Sequence, residues 1–215
     1  MILLEHEAKE LCSQYGIPIT NYRVSKSHDE AIKAAEEVGY PIVLKIISPD
    51  IVHKSDVGGV ILNLKNKQEV HEAYNDLLER IKLRIPNAKI EGVLVEEMAP
   101  PSVEVVVGAT RDSQFGPTLM FGLGGLFVEI LKDTSFRLAP ITEVEAMDMI
   151  REVKAYSILE GYRNQPRADL NVIKDILMKV SKLIVEHQEI RELDLNPVIV
   201  YEKGAKVVDA RIILE

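Results

Sequence analysis

The stretch PIVLKIISPDIVHKSDVGGVILNL, residues 41 to 64, joins two apolar runs through a polar segment. The first run, PIVLKII, is short and rich in β-branched residues, which predicts a buried strand. The second run, VILNL, predicts its antiparallel partner. This strand-loop-strand unit places a lysine, Lys45, within an apolar strand and a histidine, His53, in the connecting segment.

Capping signals predict helices on both sides of this unit. LLEHEAKELCSQYGIP has helical spacing and ends at Gly16 and Pro18. Ser27 with Glu30 predicts a capping box for a helix through Val38, and Asn66 with Glu69 predicts the start of another that ends before Pro86. A short strand is expected over residues 19–24.

The middle of the chain is rich in valine. The runs IEGVLVEEM, SVEVVVGATR and GPTLMFGL predict sequential strands of one antiparallel sheet. Thr142 with Glu145 predicts a helix to about Val153, and a further helix is expected over residues 170–186. The end, ELDLNPVIV and KVVDARIIL, predicts a hairpin. The order of elements indicates an α+β fold, an α/β sandwich with two packed subdomains at residues 1–87 and 88–215.

The amino-acid composition argues against several classes of function. The chain has 215 residues, 47% of them hydrophobic, and a formal net charge of −8, which disfavours nucleic acid as a partner. Cys12 is the only cysteine in the sequence, so an internal disulfide or a thiolate metal cage is excluded. The sequence has no apolar run of membrane-spanning length and no basic flank of a signal peptide at its start, and we expect a cytoplasmic protein.

Several polar residues lie in apolar surroundings. Lys45 indicates either a bound anion or a side chain that reaches solvent at a sheet edge. The strand end V-E-E-M carries Glu96, Glu97 and Met98 and could offer backbone groups to an adenine edge and a carboxylate to a ribose hydroxyl. Glu104, within S-V-E-V-V-V, is either a ligand-binding carboxylate or a solvent-facing residue.

The run F-G-L-G-G-L-F, residues 121 to 127, contains Gly122, Gly124 and Gly125. Three glycines in four residues favour a loop whose backbone N–H groups approach a phosphate, although a tight turn is the simpler interpretation. Neither GxxxxGK[ST] nor a complete GxGxxG is present in the sequence, so the two common phosphate-binding fingerprints are excluded.

The predicted hairpin brings several side-chain oxygens close together. Alternation places Glu192, Asp194 and Asn196 on one side of their strand, and the short turn brings Asp209 opposite Asn196. Carboxylate and amide oxygens suit Mg²⁺, although a merely polar strand face would give the same pattern. His53 is either a solvated loop residue or a nucleophile that accepts a phosphoryl group.

The motifs YPIVLKI, HKSDVGGV, VEEM, FGLGGLFVEILKD, FRLAPI and ELDLNP, taken in order, resemble the ATP-grasp β subunits of ADP-forming acetyl-CoA synthetases over essentially the whole chain. A more distant likeness is to the β subunit of succinyl-CoA synthetase. The resemblance implies an ATP-grasp fold of two subdomains with the nucleotide held between them. It also implies ATP or ADP and Mg²⁺ as cofactors, and ATP synthesis from acyl-CoA, ADP and phosphate through phosphohistidine carriers.

The resemblance also assigns roles to single residues. His53 would be the phosphohistidine, and Asp194 the carboxylate that steadies it. Lys45 would hold nucleotide phosphates. The other roles are the adenine hinge (Glu96, Glu97, Met98), the ribose contact (Glu104), the phosphate or phosphohistidine loop (Gly122, Gly124, Gly125), a phosphate contact (Arg137) and the Mg²⁺ ligands (Asn196, Asp209).

Fused members of the family carry CoA-binding and acyl-binding domains, which this sequence lacks. We therefore expect a CoA-binding α subunit as partner, in an α₂β₂ enzyme. Two other functions stay open: an ATP-grasp carboxylate–amine ligase, which needs no histidine, and a non-catalytic nucleotide-sensing module.

Overall fold

The structure, a computed structural model, describes residues 1–125, 131–162 and 166–215. The described helices are α1 (Glu5–Gln14), α2 (His28–Val38), α3 (Lys67–Arg84), α4 (Glu143–Glu152), α5 (Tyr156–Leu159) and α6 (Leu170–Glu186). The described strands are β1 (Tyr22–Ser25), β2 (Ile42–Ile47), β3 (Val60–Leu64), β4 (Gly92–Glu97), β5 (Val103–Asp112), β6 (Gly116–Leu123), β7 (Thr134–Leu138), β8 (Ile190–Val200), β9 (Ala205–Val207) and β10 (Ala210–Leu214).

The chain forms two compact units. The small unit comprises Thr20–Ala99, and the large unit comprises Met1–Ile19 together with Pro100–Glu215. This division differs from the predicted boundary after residue 87. Strand β4 belongs to the small unit because it pairs with both β1 and β2, and the first helix belongs to the large unit because the chain before it bonds to β10, with the Leu3 N–H donating to the Ile212 carbonyl at 3.0 Å.

The small unit is an antiparallel sheet with the strand order β1-β4-β2-β3, and helices α2 and α3 pack on one face. Alternation turns Ile42, Leu44 and Ile46 towards these helices, so Lys45 lies on the other face. The predicted antiparallel partnership of β2 and β3 is confirmed, with Lys45 opposite Val60. The run VLVEE was wrongly expected in the same sheet as the next two valine-rich runs. This run forms β4 in the small sheet instead, where β1 and β2 pair with its two edges.

The large unit contains a six-stranded antiparallel sheet with the order β10-β8-β5-β6-β7, and β9 extends the pairing along β8. Its core lies on one face and includes side chains of α4 and α6 with alternate residues of the strands, among them Val105, Val107, Phe121, Leu195 and Ile212. The opposite face of the sheet carries both polar and apolar side chains. Strand β7 and helix α5 were not predicted from the sequence.

The predicted helix caps are present. The side chains of Ser27, Asn66 and Thr142 accept hydrogen bonds from the backbone three residues on, at the starts of α2, α3 and α4. Among these three caps, the reciprocal half of the capping box forms at Thr142, whose N–H donates to the Glu145 carboxylate. Glu30 accepts from the Lys26 N–H instead. Within the described residues, no helix combines the length and the apolar character that a membrane crossing requires.

Helix α3 provides a test of the small unit's core. Leu77 is fully buried against the sheet, whereas Leu83, on the same helix, is 82% exposed. We expect Leu77→Ala to lower the free energy of unfolding by about 2–5 kcal/mol through lost burial and a residual cavity. Leu83→Ala is the matched control and should change it by less than about 0.5 kcal/mol. Equal effects of the two substitutions in denaturant titrations would contradict the assigned packing.

Candidate functional site

A buried ion pair lies on the face of the small sheet away from its helices. The Lys45 ammonium lies 2.7 Å from Glu96 Oε2, and the two side chains are 6% and 1% exposed. The Thr20 hydroxyl donates to the other oxygen of Glu96. The interpretation of Lys45 as a side chain reaching solvent at a sheet edge was wrong, because β2 has a partner on each side and the ammonium meets a carboxylate of its own chain.

The end of β4 is held by hydrogen bonds to neighbouring segments. The Glu97 N–H donates to the Asn21 carbonyl at 2.9 Å, the Asn21 N–H donates to Glu97 Oε1 at 2.7 Å, and the Met98 N–H donates to the Pro41 carbonyl at 3.0 Å. The expectation that this strand end offers its N–H groups to a ligand is therefore corrected at residues 97 and 98. These two donors already join neighbouring segments of the small unit.

His53 lies exposed on a short segment with a fixed point on either side. On the N-terminal side, Ile51 is buried in the core of the small unit, and Asp50 Oδ2 accepts from the Lys89 N–H at 2.7 Å. On the C-terminal side, the Gly59 N–H donates to the Lys54 carbonyl at 2.7 Å and the Gly59 carbonyl accepts from the Ile46 N–H at 2.8 Å. We call residues 52–58 the histidine segment.

Two glycines shape this segment. Gly58 has a φ of 72° and follows a short 3₁₀ turn, Ser55–Val57. Gly59 is packed so closely that a Cβ would lie 2.7 Å from Cγ2 of Ile46, a distance that side chains do not tolerate. Gly58 therefore allows the turn and Gly59 allows the close approach to β2.

The glycines near residue 124 have a structural explanation that differs from the expected anion loop. Gly122 lies within β6, paired with Val106 and Thr134. The Gly124 N–H donates to the Glu104 carbonyl at 2.8 Å, and a Cβ on Gly124 would lie 2.9 Å from the Glu104 Cβ. The expectation of free N–H groups is therefore corrected at Gly124, which closes the end of the β5–β6 pairing. Gly125 is exposed with a φ of 62°, and residues 126–130 of the glycine-rich motif lie outside the described residues.

The hairpin of β8 and β10 has the predicted register. The Asn196 N–H donates to the Asp209 carbonyl at 3.2 Å, so these two residues lie opposite each other. The pair brings an amide and a carboxylate together at one point of the sheet. This donor set fits Mg²⁺, which takes a few protein oxygens and keeps water in its other positions. No cluster of three or more His, Cys, Asp or Glu side chains suited to a metal was found in the described part of the chain.

The open face of the large sheet forms a cleft of about 370 Å³. Glu192, Asp194 and Asn196 all line it, which confirms the predicted alternation along β8. Arg211, opposite Asp194 in the β8–β10 pairing, forms an ion pair with Glu192. The remaining lining is largely apolar and includes Val106, Met120 and Phe136.

Arg137 is not on this face. In β7, Phe136 lines the cleft, and the alternation turns Arg137 towards α4, where its guanidinium forms two hydrogen bonds with the Glu152 carboxylate. The Glu152 carboxylate raises the pKa of Arg137 through these hydrogen bonds, and Arg137 lowers the pKa of Glu152 in turn. The structure thus brings Asp194, Asn196 and Asp209 to one hairpin and leaves Arg137 on the other face of the sheet.

Sequence reasoning missed two residues beside the candidate groups. Thr20 hydrogen-bonds Glu96, although the residues lie 76 positions apart in the chain. Arg84, at the end of α3, donates to the Asp56 carbonyl of the histidine segment at 3.3 Å. Both contacts join distant parts of the chain, and neither residue stands in a motif.

The comparison with protein families agrees with this fold. A family model described as an ATP-grasp domain matches residues 1–214. The chain therefore belongs to the ATP-grasp family.

Individual relatives identify a narrower family for the chain. The beta subunit of acetate–CoA ligase [ADP-forming] I from Pyrococcus furiosus is 50% identical over 212 residues, which is 99% of this chain and 91% of that protein. Acetate–CoA ligase [ADP-forming] I from Archaeoglobus fulgidus is 51% identical over 208 residues, which is 97% of this chain but 30% of that longer protein. Within the ATP-grasp proteins, the chain belongs to the family of ADP-forming acetate–CoA ligase β subunits.

Two solved structures of acetyl-coenzyme A synthetase 1 from Ca. Korarchaeum cryptofilum match the whole fold. One holds coenzyme A, acetyl-coenzyme A and a phosphorylated phosphohistidine segment in its site I orientation; its TM-score is 0.94 and its identity 55%, over 100% of this chain and 93% of that chain. The other holds coenzyme A and Mg-AMPPCP, with the phosphohistidine segment pointing towards the nucleotide-binding site. Its TM-score is 0.88 and its identity 53%, over 100% of this chain and 93% of that chain.

The buried ion pair of Lys45 and Glu96 leads to a prediction about stability. Removing one partner leaves a buried charge, so Lys45→Met and Glu96→Gln should each lower the free energy of unfolding by about 3–5 kcal/mol. The double variant should be much more stable than the sum of the two losses implies. A double-mutant cycle by denaturant unfolding measures this coupling.

The exposed pair of Arg23 and Glu37 is the control for this cycle, because its side chains are 51% and 48% exposed and should show no measurable coupling. Additive losses at Lys45 and Glu96 would show that the two charges do not depend on each other.

Proposed function

We propose that this chain is the nucleotide-binding β subunit of an ADP-forming acyl-CoA synthetase. In this role it transfers a phosphoryl group between a nucleotide and His53, and so couples cleavage of an acyl-CoA thioester to ATP synthesis. The observation that carries the proposal is the presentation of His53. An exposed imidazole lies on a segment fixed at both ends, and solved structures of a related acetyl-coenzyme A synthetase contain a phosphohistidine segment.

The phosphoryl step follows from the imidazole's chemistry. An unprotonated ring nitrogen of His53 attacks the γ-phosphorus of ATP, the bond from that phosphorus to the β–γ bridging oxygen breaks, and ADP leaves with the electron pair. The reverse step forms ATP. Phosphoryl transfer depends mainly on positioning and on neutralising phosphate charge. Mg²⁺, when bound, supplies part of that neutralisation.

We assign the charged groups of each unit accordingly. In the small unit, Lys45 contacts nucleotide phosphates, and Glu96 orients the ammonium rather than contacting adenine, because its carboxylate is already engaged by Lys45 and Thr20. Glu97 and Met98 remain the proposed adenine-binding strand end, which would contact adenine through carbonyl oxygens because its N–H groups are engaged within the small unit. In the large unit, Glu104 is the proposed ribose contact, and Gly122, Gly124 and Gly125 shape the strand end beside it.

The hairpin of the large unit supplies the remaining groups. Asn196 and Asp209 are the proposed Mg²⁺ ligands, and Asp194 is the proposed partner of a phosphorylated imidazole. Arg137 becomes a phosphate contact only if its ion pair with Glu152 breaks, so we give it no role in the resting state.

The proposal includes a partner. A chain of this kind is one subunit of a multi-subunit enzyme in Pyrococcus furiosus and matches part of one longer chain in Archaeoglobus fulgidus. We propose a separate CoA-binding α subunit, in an α₂β₂ assembly. The expected cytoplasmic location belongs to the same proposal and is supported by the sequence alone.

His53 is tested by labelling. Incubation of the chain with γ-³²P-ATP and Mg²⁺, alone and with the co-purifying α subunit, should yield an alkali-stable, acid-labile label on the peptide that contains His53. We expect His53→Asn to reduce this label at least about 100-fold, because the nucleophile is removed.

The matched control is His71→Asn, an exposed histidine on α3 that should keep wild-type labelling. Full labelling of His53→Asn would refute the relay. A chain that ligates an amine without any labelled histidine would instead be a carboxylate–amine ligase, and one that binds ATP without transferring phosphate would be a sensing module.

The proposed metal ligands are tested by Mn²⁺ binding. Asp209→Asn removes a charged oxygen, so we expect the Mn²⁺ dissociation constant, measured by EPR in the presence of ADP, to rise about tenfold or more. The control is Glu202→Gln, at the exposed turn that follows β8, which should bind Mn²⁺ normally. Unchanged binding in a folded Asp209→Asn variant would exclude this ligand.

A further inference from the structure

The histidine segment is held by hydrogen bonds of its own and by a contact with the end of α3. Within the segment, the Gly58 N–H donates to the Ser55 carbonyl at 3.1 Å, and at its C-terminal end the Lys54 carbonyl accepts from the N–H of the fixed point Gly59. From outside, the Arg84 side chain donates a hydrogen bond to the segment backbone. The outer face of the segment is exposed at His53, Ser55 and Asp56.

Arg84 lies in the last position of α3, and its side chain meets the segment at two points. Its Nη1 donates to the Asp56 carbonyl at 3.3 Å. The same nitrogen lies 3.3 Å from the place where a Cβ would stand on Gly58. A side chain at position 58 would therefore crowd the guanidinium, so the glycine serves the contact with Arg84 as well as the turn.

Arg80, one turn earlier on α3, supports the same contact. Its guanidinium is held by Asp76 in an ion pair along the helix, and its Cδ lies 3.7 Å from the point that a Cβ on Gly58 would occupy. Arg80 thus presents a fixed aliphatic surface to the segment. Arg84, whose hydrogen bond goes to the segment itself, supplies the polar contact.

We propose that Arg84 is a positioning residue that latches the histidine segment onto the end of α3 and sets how often the segment leaves this position. The inference rests on the proposed function, because a relay by His53 requires the ring to visit more than one place. In the Korarchaeum enzyme a phosphohistidine segment is seen in a site I orientation and pointing towards the nucleotide-binding site, which is a precedent for a histidine that moves during the relay. Ile51 and Gly59 are the fixed points about which residues 52–58 turn.

The strength of the Arg84 hydrogen bond is suited to holding the histidine segment reversibly. A single hydrogen bond from an exposed guanidinium to a carbonyl changes an equilibrium by about three- to tenfold. This effect is large enough to hold one orientation as the major state and small enough for the segment to open in every catalytic cycle. A buried ion pair such as that of Lys45 and Glu96 would hold the segment too firmly for this purpose.

The first experiment tests the latch without the reaction. Amide hydrogen exchange of the isolated chain should show about three- to tenfold faster exchange in peptides covering residues 52–58 of Arg84→Ala, with unchanged exchange in β2 and β3. Arg84→Lys keeps a donor and should restore most of the protection. Lys82→Ala, an exposed cation on the same turn of α3, should match wild type. Wild-type exchange in Arg84→Ala would overturn the proposal.

The second experiment measures the two half-reactions in the assembled enzyme. Labelling of His53 from ATP and discharge of the labelled segment to the α subunit use different orientations, so Arg84→Ala should change their rates in opposite directions by about three- to tenfold. Arg84→Lys should move both rates back towards wild type. Parallel losses in both half-reactions would indicate a merely structural residue and would refute the latch.

Failure of the proposed His53 relay and failure of the Arg84 inference would give different results. If His53 is never labelled in wild type, the relay is refuted, and hydrogen exchange still reports on the Arg84 contact. If His53 is labelled normally and Arg84→Ala changes neither exchange nor the balance of half-reactions, the relay stands and the latch is refuted.

Discussion

The burial of one charge on an apolar strand constrains the small unit more than any other feature. Lys45 lies at the centre of a sheet, where an ammonium without a partner would be strongly destabilising. Glu96 meets it from the adjacent strand, and Thr20 holds the second carboxylate oxygen. The pairing of β2 with β4 is therefore required electrostatically as well as by backbone hydrogen bonds, and the residues that precede β1 are tied to the same point.

The proposed reactive group of the small unit, in contrast, lies outside its packed core. His53 is exposed between two fixed points, Ile51 in the core and Gly59 against β2. The large unit applies the same division. One face of its sheet is packed with helices, and the other carries Asp194 and Asn196 in a cleft with Arg211 paired to Glu192. The alternation of single strands thus separates the packed core from a face on which polar and apolar side chains line the cleft.

Glycine has two roles in this chain, close packing and a left-handed turn. Gly59 and Gly124 are both positions where a Cβ would collide with a neighbour, and their N–H groups are used within the chain. Gly58 provides a left-handed turn and room for Arg84. A glycine-rich motif therefore does not by itself indicate open anion-binding N–H groups, since close packing of strands requires the same residue.

The sequence by itself determined the helices with their caps at Ser27, Asn66 and Thr142, the pairing of β2 with β3, and the facing of Asn196 and Asp209, because capping and strand alternation act over a few residues. It also determined the family, since motifs along the whole chain agree. Only the tertiary structure decided that Lys45 pairs with Glu96, that Arg137 turns away from Asp194, that β4 joins the small sheet, and that Arg84 contacts the histidine segment. Each of these depends on which distant segments become neighbours, and that choice is made by the packing of the whole unit rather than by any local pattern.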